Sequence, residues 1–487
     1  MKSERSLSLT TNGLWSTFFC SMVLLVCDAA GQTTDVFFVA GQSNASGRVT
    51  ILQGQNGDFA PLAPSANDAL VQYYYNTDGP AGNQNQNSNG NFVSLAPLPK
   101  TGYYGAEISA GRELVNLGYN VAIIKITEGG TSLSNDWNSR DTDPDRAALW
   151  RLWASEVDDA LGQLPGNVRL RGFLWLQGES DSGPNSPGQA NNYEGRFSAL
   201  VDDIYGVLGT GSSNAVIPPG AINGLGYDTS ELVFVTALIH PRVSPEDLAA
   251  GVDFGNPNRV VVRDAQKAVS SGLNRTYFDT VNLDPNDSTT TGQNNAADGA
   301  LGLQDDGTHF NAVANEQIGL KFAEAIGPIE PTSVIPDNFV PIRGIFVDGK
   351  LANLNASDDL YLRYQPGFTL NSLESPVWLE FAGSAPAGAN SDATSITAAI
   401  ESGLNTPGIT NQIEAFNYAT GNYDFIGEFE ETFTDSVRSI NLPKPANYIH
   451  ATSGQLQLRV GWRQTGFLIL FPYTVRVDHV EWAVTGI

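Results

Sequence analysis

The chain has 487 residues, enough for two or three domains of ~150 residues and for at least one large core. Hydrophobic residues make up 41% and charged residues only 16%, with 50 Gly and 26 Pro, which excludes a disordered chain, a coiled coil and collagen and points to many turns and polar loops. A net charge of −26 opposes docking on nucleic acid or anionic lipid, and no basic run offsets it.

In chain order, Lys2 and Arg5 precede an apolar stretch over residues 14–26, and the small residues Ala29 and Ala30 follow it. This reads as a signal peptide over residues 1–30, too short to span a bilayer comfortably, so a secreted or periplasmic protein is expected. Cleavage would remove both cysteines, Cys20 and Cys27, leaving a mature chain without disulfides, as a large core permits. Lipid anchoring at Cys27 is the weaker alternative, because Val26 rather than a small residue precedes it.

From residue 35 to about 326, apolar runs of strand length alternate with stretches of helical period, the pattern of a doubly wound parallel sheet covered on both faces. Strands are expected over residues 36–40, 121–126, 172–176, 232–238 and 259–262, each continuous rather than alternating, as a strand covered on both sides should be. Crossover helices are expected over 106–117, 147–164 and 193–205, and a last helix over 311–326. Two polar segments, 53–100 and 284–305, interrupt the pattern, and loops that long either shape a site or decorate the surface.

After Pro328 the texture changes. Pro331, Pro336 and Pro341 suggest a linker over 329–341, and residues 342–487 read as an all-β sandwich, with strands over 413–417, 423–429, 455–462 and 474–484. Trp378, Trp462 and Trp482 there could stack on sugar rings, although the alternation around Trp462 favours the core. Nothing in this part looks catalytic.

The chemistry is expected in residues 31–328. Gly41-Gln42-Ser43-Asn44 follows the first strand, where doubly wound sheets bind ligands, and Ser43 there serves equally as a nucleophile or as a helix N-cap. Asp306-Gly307-Thr308-His309 precedes the last helix, and of the four histidines only His309 has an acid three residues earlier. A serine nucleophile needs a base, and the base needs a partner that holds its tautomer; Asp306 and His309 could supply both, or His309 could simply cap the helix. Glu128-Gly129-Gly130-Thr131 and Gln177-Gly178-Glu179-Ser180-Asp181 follow two further strands. The amides of Ser43 and Gly130 with the side chain of Gln177 could hold the oxyanion of a tetrahedral intermediate, or Gly130 could merely make a tight turn and Gln177 cap a strand. Clustered His or Cys ligands and a phosphate-cradling glycine loop are both missing from the sequence, so no metal and no cofactor is expected.

Taken in order, these motifs resemble the SGNH (GDSL-like) hydrolases, in particular the carbohydrate esterase branch with acetylxylan esterases and sialate O-acetylesterases. The resemblance covers about residues 35–326 and also draws on Gly105-Ala106-Glu107 and Lys125. It implies a flavodoxin-like fold, Ser43 as nucleophile, His309 as base, Asp306 as its orienter and an oxyanion hole from Ser43, Gly130 and Gln177. Gln42, Asn44, Glu107, Glu179 and Asp181 would support the site from behind, with Glu179 and Asp181 read as structural rather than catalytic. The family often has Pro where this chain has Ala106, which leaves the role of Glu107 open. The function implied is a secreted serine esterase removing O-acetyl groups from a polysaccharide or glycan, the acidic surface favouring neutral over polyanionic substrates. A non-catalytic glycan-binding protein and an esterase for small lipidic esters are the competing readings.

Overall fold

Apolar runs that lack alternation fold into strands buried along both faces. The structure, a computed structural model, describes residues 33–51, 62–77, 86–143, 146–211, 213–242, 256–281, 283, 302–304, 308–369, 374–386, 389–464 and 473–486. The expected signal peptide, Asp306 and most of segment 284–305 lie outside the described residues. Strand β1 (Thr34–Gly41) is buried throughout and directs Phe37 and Phe38 to opposite faces. Around it, β2 (Gln72–Asn76), β3 (Val93–Ser94), β4 (Val121–Thr127), β5 (Val168–Leu176), β6 (Val233–Ala237) and β7 (Arg275–Phe278) form one sheet in the order β3-β2-β4-β1-β5-β6-β7. Only β3 runs antiparallel to its neighbour.

Two cores flank this sheet. Helices α1 (Ser43–Ser46), α2 (Glu107–Asn116), α3 (Ala148–Leu161), α4 (Tyr193–Leu208), α5 (Pro257–Val269) and α6 (Ala312–Ile326) follow in chain order. Phe38, Trp153, Phe173, Phe197 and Val262 share one core beneath α3, α4 and α5, whereas Phe37, Leu114, Ile318 and Phe322 share the other beneath α2 and α6. The α/β architecture is therefore as the alternation implies.

Two local expectations fail. Residues 259–262 are helical: Pro257 opens α5 at a position where its missing N–H costs nothing, and the buried Arg259, Val262, Arg263, Gln266 and Val269 recur at helical spacing. The valines that imitated a strand split, with Val260 and Val261 exposed and Val262 buried. The strand expected over 232–238 is β6, and the place beside it that 259–262 was expected to supply is taken by β7. Segment 53–100 also holds structure, since Tyr73, Tyr74 and Tyr75 make β2 a buried strand beside β4.

Beyond α6 the chain is a β-sandwich. One sheet runs Ile345–Asp348, Leu362–Gln365, Val475–Thr485, Ser395–Leu404, Ser436–Asn441, and the other Asn338–Arg343, Val377–Ser384, Gln455–Gln464, Ile409–Asn417, Asn422–Glu430. Leu362, Ile400, Val480 and Trp482 of the first meet Leu379, Phe381, Leu458 and Trp462 of the second in one core. Trp462 and Trp482 are thus unavailable for stacking on sugars, and Trp378 is half-buried. The proline-rich stretch expected as a linker joins the sandwich: Thr332–Val334 pairs with Val475–Thr485, and Asn338–Arg343 pairs with Val377–Ser384. Pro341 fits because its strand is the sheet's edge, where a missing N–H leaves no ladder bond unmade.

Candidate active site

Register places the loops. Gly41, the last residue of β1, pairs with Thr127 of β4 on one side and Leu176 of β5 on the other, so the three following loops leave the sheet at one level. Gly41 itself has φ +140°, and a Cβ there would lie 2.0 Å from the Leu176 carbonyl oxygen; only glycine lets β1 and β5 approach and the chain turn into α1. Ser43 is the first residue of α1 and is 5% exposed. The N-cap position belongs to Gln42, so Ser43 is not a cap. The glycine pair after β4 comes against it: a Cβ on Gly129 would stand 3.5 Å from Ser43 Cβ, and Gly130 has φ +79° with open space where its Cβ would be.

His309 comes from the far end of the domain. Asn44 holds it there, with Nδ2 donating to the Thr308 carbonyl at 3.2 Å and Oδ1 accepting from the Phe310 amide at 3.1 Å, so both neighbours of His309 are fixed by the residue after Ser43. The same Nδ2 donates to Glu179 Oε1 at 2.6 Å. The Oδ1 of Asn311 caps α6 by accepting from the Ala314 amide at 2.8 Å, which leaves His309 outside the capping role. Ser43 and His309 line one cavity of about 440 Å³ together with Gln42, Gly130 and Glu179.

Gln177 is brought to the right strand end but is not among the residues that line the cavity, although its Nε2 also donates to the lining Gln42 Oε1 at 3.3 Å. It is fully buried, its Nε2 donates to Asp181 Oδ2 at 2.7 Å and to the Thr131 carbonyl at 3.2 Å, and its Oε1 accepts from the Tyr193 hydroxyl at 3.1 Å. Gln42 Oε1 accepts from the amides of Gly178 and Ser180, each at 3.3 Å, which braces the β5 loop. Asp181 accepts from the amides of Leu133 at 2.7 Å and Ser134 at 3.0 Å. Burial pushes the Asp181 carboxyl up, against these hydrogen bonds. Glu107 lies beneath α1 rather than in the cavity: it pairs with Lys125 Nζ at 2.9 Å, and Lys125 donates to the Ser46 carbonyl at 2.8 Å.

Sequence reasoning did not find three arginines. Arg48, Arg242 and Arg259 all line the cavity, where Glu179 is the acid among the described lining residues. Arg242 donates to the Thr308 hydroxyl, and Arg259 to the His240 carbonyl at 2.6 Å. Burial and the neighbouring Arg242 push the Arg259 guanidinium down to about 10, still protonated at neutral pH. The signal available was weak, since the three come from separate loops and from α5 with no basic run between them.

A buried serine and a histidine on one cavity rim, at the carboxyl edge of a sheet covered on both faces, make the kind of site that serves acyl transfer. Residues 33–215 match the family described as carbohydrate esterase, sialic acid-specific acetylesterase. The carbohydrate-esterase part of the resemblance read from the motifs stands, and the chain is an enzyme of the carbohydrate O-acetylesterase class. No curated protein matches the chain. Among solved structures, an Arabidopsis thaliana protein aligns at 15% identity over 60% of this chain and 97% of its own, with a TM-score of 0.40. A carbohydrate acetylesterase from Xanthomonas citri aligns at 12% identity over 92% of this chain and 78% of its own, with a TM-score of 0.34. A carbohydrate-binding module from a Cellvibrio mixtus lichenase, in complex with cellotriose, aligns at 9% identity over 32% of this chain and 97% of its own, with a TM-score of 0.19. At those scores the likenesses fix neither activity nor ligand.

Proposed function

We propose that this chain is a secreted serine esterase that removes O-acetyl groups from carbohydrate through an acetyl-enzyme, on a flavodoxin-like SGNH fold spanning residues 31–328. The observation that carries the reading is the shared cavity of Ser43 and His309, braced by Asn44 across the backbone on both sides of the histidine. His309 takes the hydroxyl proton as Ser43 Oγ attacks the acetyl carbonyl. The backbone amides of Ser43 and Gly130 hold the oxyanion, each such donor being worth about 3 kcal/mol. Collapse expels the sugar alkoxide, which takes the proton from His309, and a water activated by the same imidazole releases acetate. Asp306, outside the described residues, orients the imidazole. Gln177 serves from behind by fixing the turn at Thr131; to donate to the oxyanion it would have to leave Asp181. Export rests on the apolar run over residues 14–26.

The arginines favour an acidic sugar. Guanidinium groups bind carboxylates through paired donors, and Arg48, Arg242 and Arg259 converge on the cavity despite a chain of net charge −26. The substrate class is therefore an acetylated sugar bearing a carboxylate, a sialoside or a uronate, rather than the neutral xylan that the overall charge suggests. Acetate release tests both parts. Ser43→Ala and His309→Ala should each cut the rate at least about 10³-fold. The wild type should prefer acetylated sialosides or pectin to acetylated xylan and mannan, and Arg259→Ala should raise KM for the acidic substrates only. Full activity in both triad variants rejects the mechanism, and equal rates across the panel reject the acidic sugar.

A further inference from the structure

The sandwich carries a second cluster of charged groups, remote in sequence from the cavity. Asp359 precedes the strand Leu362–Gln365, Asp435 precedes Ser436–Asn441, and Asp478 lies within Val475–Thr485; one carboxylate oxygen from each lies within 4.8 Å of the others. Like charges at that range repel unless a counter-charge is held between them.

The hydrogen bonding leaves the cluster incomplete. Asp478 is 1% exposed; its Oδ2 accepts from the Asp359 amide at 3.1 Å, while its Oδ1 is buried with no hydrogen-bond partner. Asp435 Oδ1 and Glu401 Oε2 are buried in the same condition. The Tyr361 hydroxyl reaches both Asp435 Oδ2 and Asp359 Oδ1, but one proton cannot serve two carboxylates. Among the described residues Arg476 ion-pairs with the cluster, its Nη2 3.6 Å from Asp435 Oδ1 and already donating to the Phe433 carbonyl. Orphaned buried oxygens amid excess negative charge are costly, and a cation that accepts oxygen ligands removes both costs.

We propose that Asp359, Asp435 and Asp478 bind a divalent cation of the calcium class, which ties three segments of the sandwich together. The donor set is all oxygen, the choice of a hard cation rather than of zinc or copper. The carboxylates come from separate segments, so occupancy should stabilise the sandwich against unfolding. The site is independent of the esterase proposal, because neither Ser43 nor His309 takes part in it.

The test uses the full chain, stripped with EDTA and dialysed. Terbium should give saturable emission excited through Tyr361, calcium chloride should displace it, and millimolar calcium should raise Tm by several degrees. Asp435→Asn and the exposed Asp359→Asn should each weaken terbium and calcium binding at least about tenfold, and should remove most of the Tm response. Asp359→Asn keeps the test valid where substitution of the buried Asp478 prevents folding. No calcium-dependent shift in the wild type, or an unchanged affinity in either variant, overturns the site.

Discussion

Asn44 joins the segment of Ser43 to that of His309, across 266 positions of sequence, through contacts to Thr308, Phe310 and Glu179. Alanine there leaves Ser43 and His309 in place chemically but frees their mutual geometry. Small misplacements at a reacting pair cost about 10²-fold, so Asn44→Ala should lower kcat by about that factor with KM little changed, in steady-state acetate release by a folded protein. That Ser43 and His309 meet on one cavity was legible because each stands in a short motif beside a strand or helix end. The arginines were not, since their meeting depends on how separate loops and α5 pack. The orientation of Gln177 was equally hidden: it is decided by Asp181, four residues on, and by the Thr131 carbonyl from another loop.

Between elements, the buried pair Glu107–Lys125 anchors α1. Both side chains are essentially unexposed, at 1% and 0%, and the lysine also holds the last carbonyl of α1 at Ser46. Breaking such a pair from one side leaves an uncompensated buried charge and costs about 3–5 kcal/mol. Glu107→Ala should therefore destabilise by that amount in denaturant unfolding, and Glu107→Leu combined with Lys125→Met should recover much of it. The parallel sheet was readable because doubly covered strands are apolar without interruption, and the helices because their apolar residues recur at helical spacing. Arg259 to Val262 misled because a short β-branched run has no visible period; the tertiary face it buries, together with Pro257, decides for helix. The tyrosine strand β2 was lost inside a long polar segment for the complementary reason, that its flanks announce a loop.

At the scale of the molecule, acid stability depends on carboxylates whose partners favour the charged form. Burial pushes the Asp279 carboxyl up, but the Arg263 guanidinium at 2.6 Å outweighs it and holds the group below its usual range. Its contribution is fully present above the unfolded carboxylate pKa of about 3.9 and is lost as pH falls through the lower folded value. Asp279→Asn should thus lower Tm at pH 6, and the gap to wild type should close below about pH 4 in a series of melting scans. The division into an α/β part and a sandwich was visible from the change of texture after Pro328. The place of the join was not, because prolines on an edge strand look like prolines in a linker.

That edge has a consequence for the protein at high concentration. Among the described residues Asn338–Arg343 is the outer strand of its sheet and displays the exposed side chains of Val340 and Ile342, the sort of border onto which another molecule can add a strand and begin a fibril. Pro341 sits between them and offers no N–H to such a newcomer, so the ring that resembles a hinge in the sequence acts as a guard against self-polymerisation.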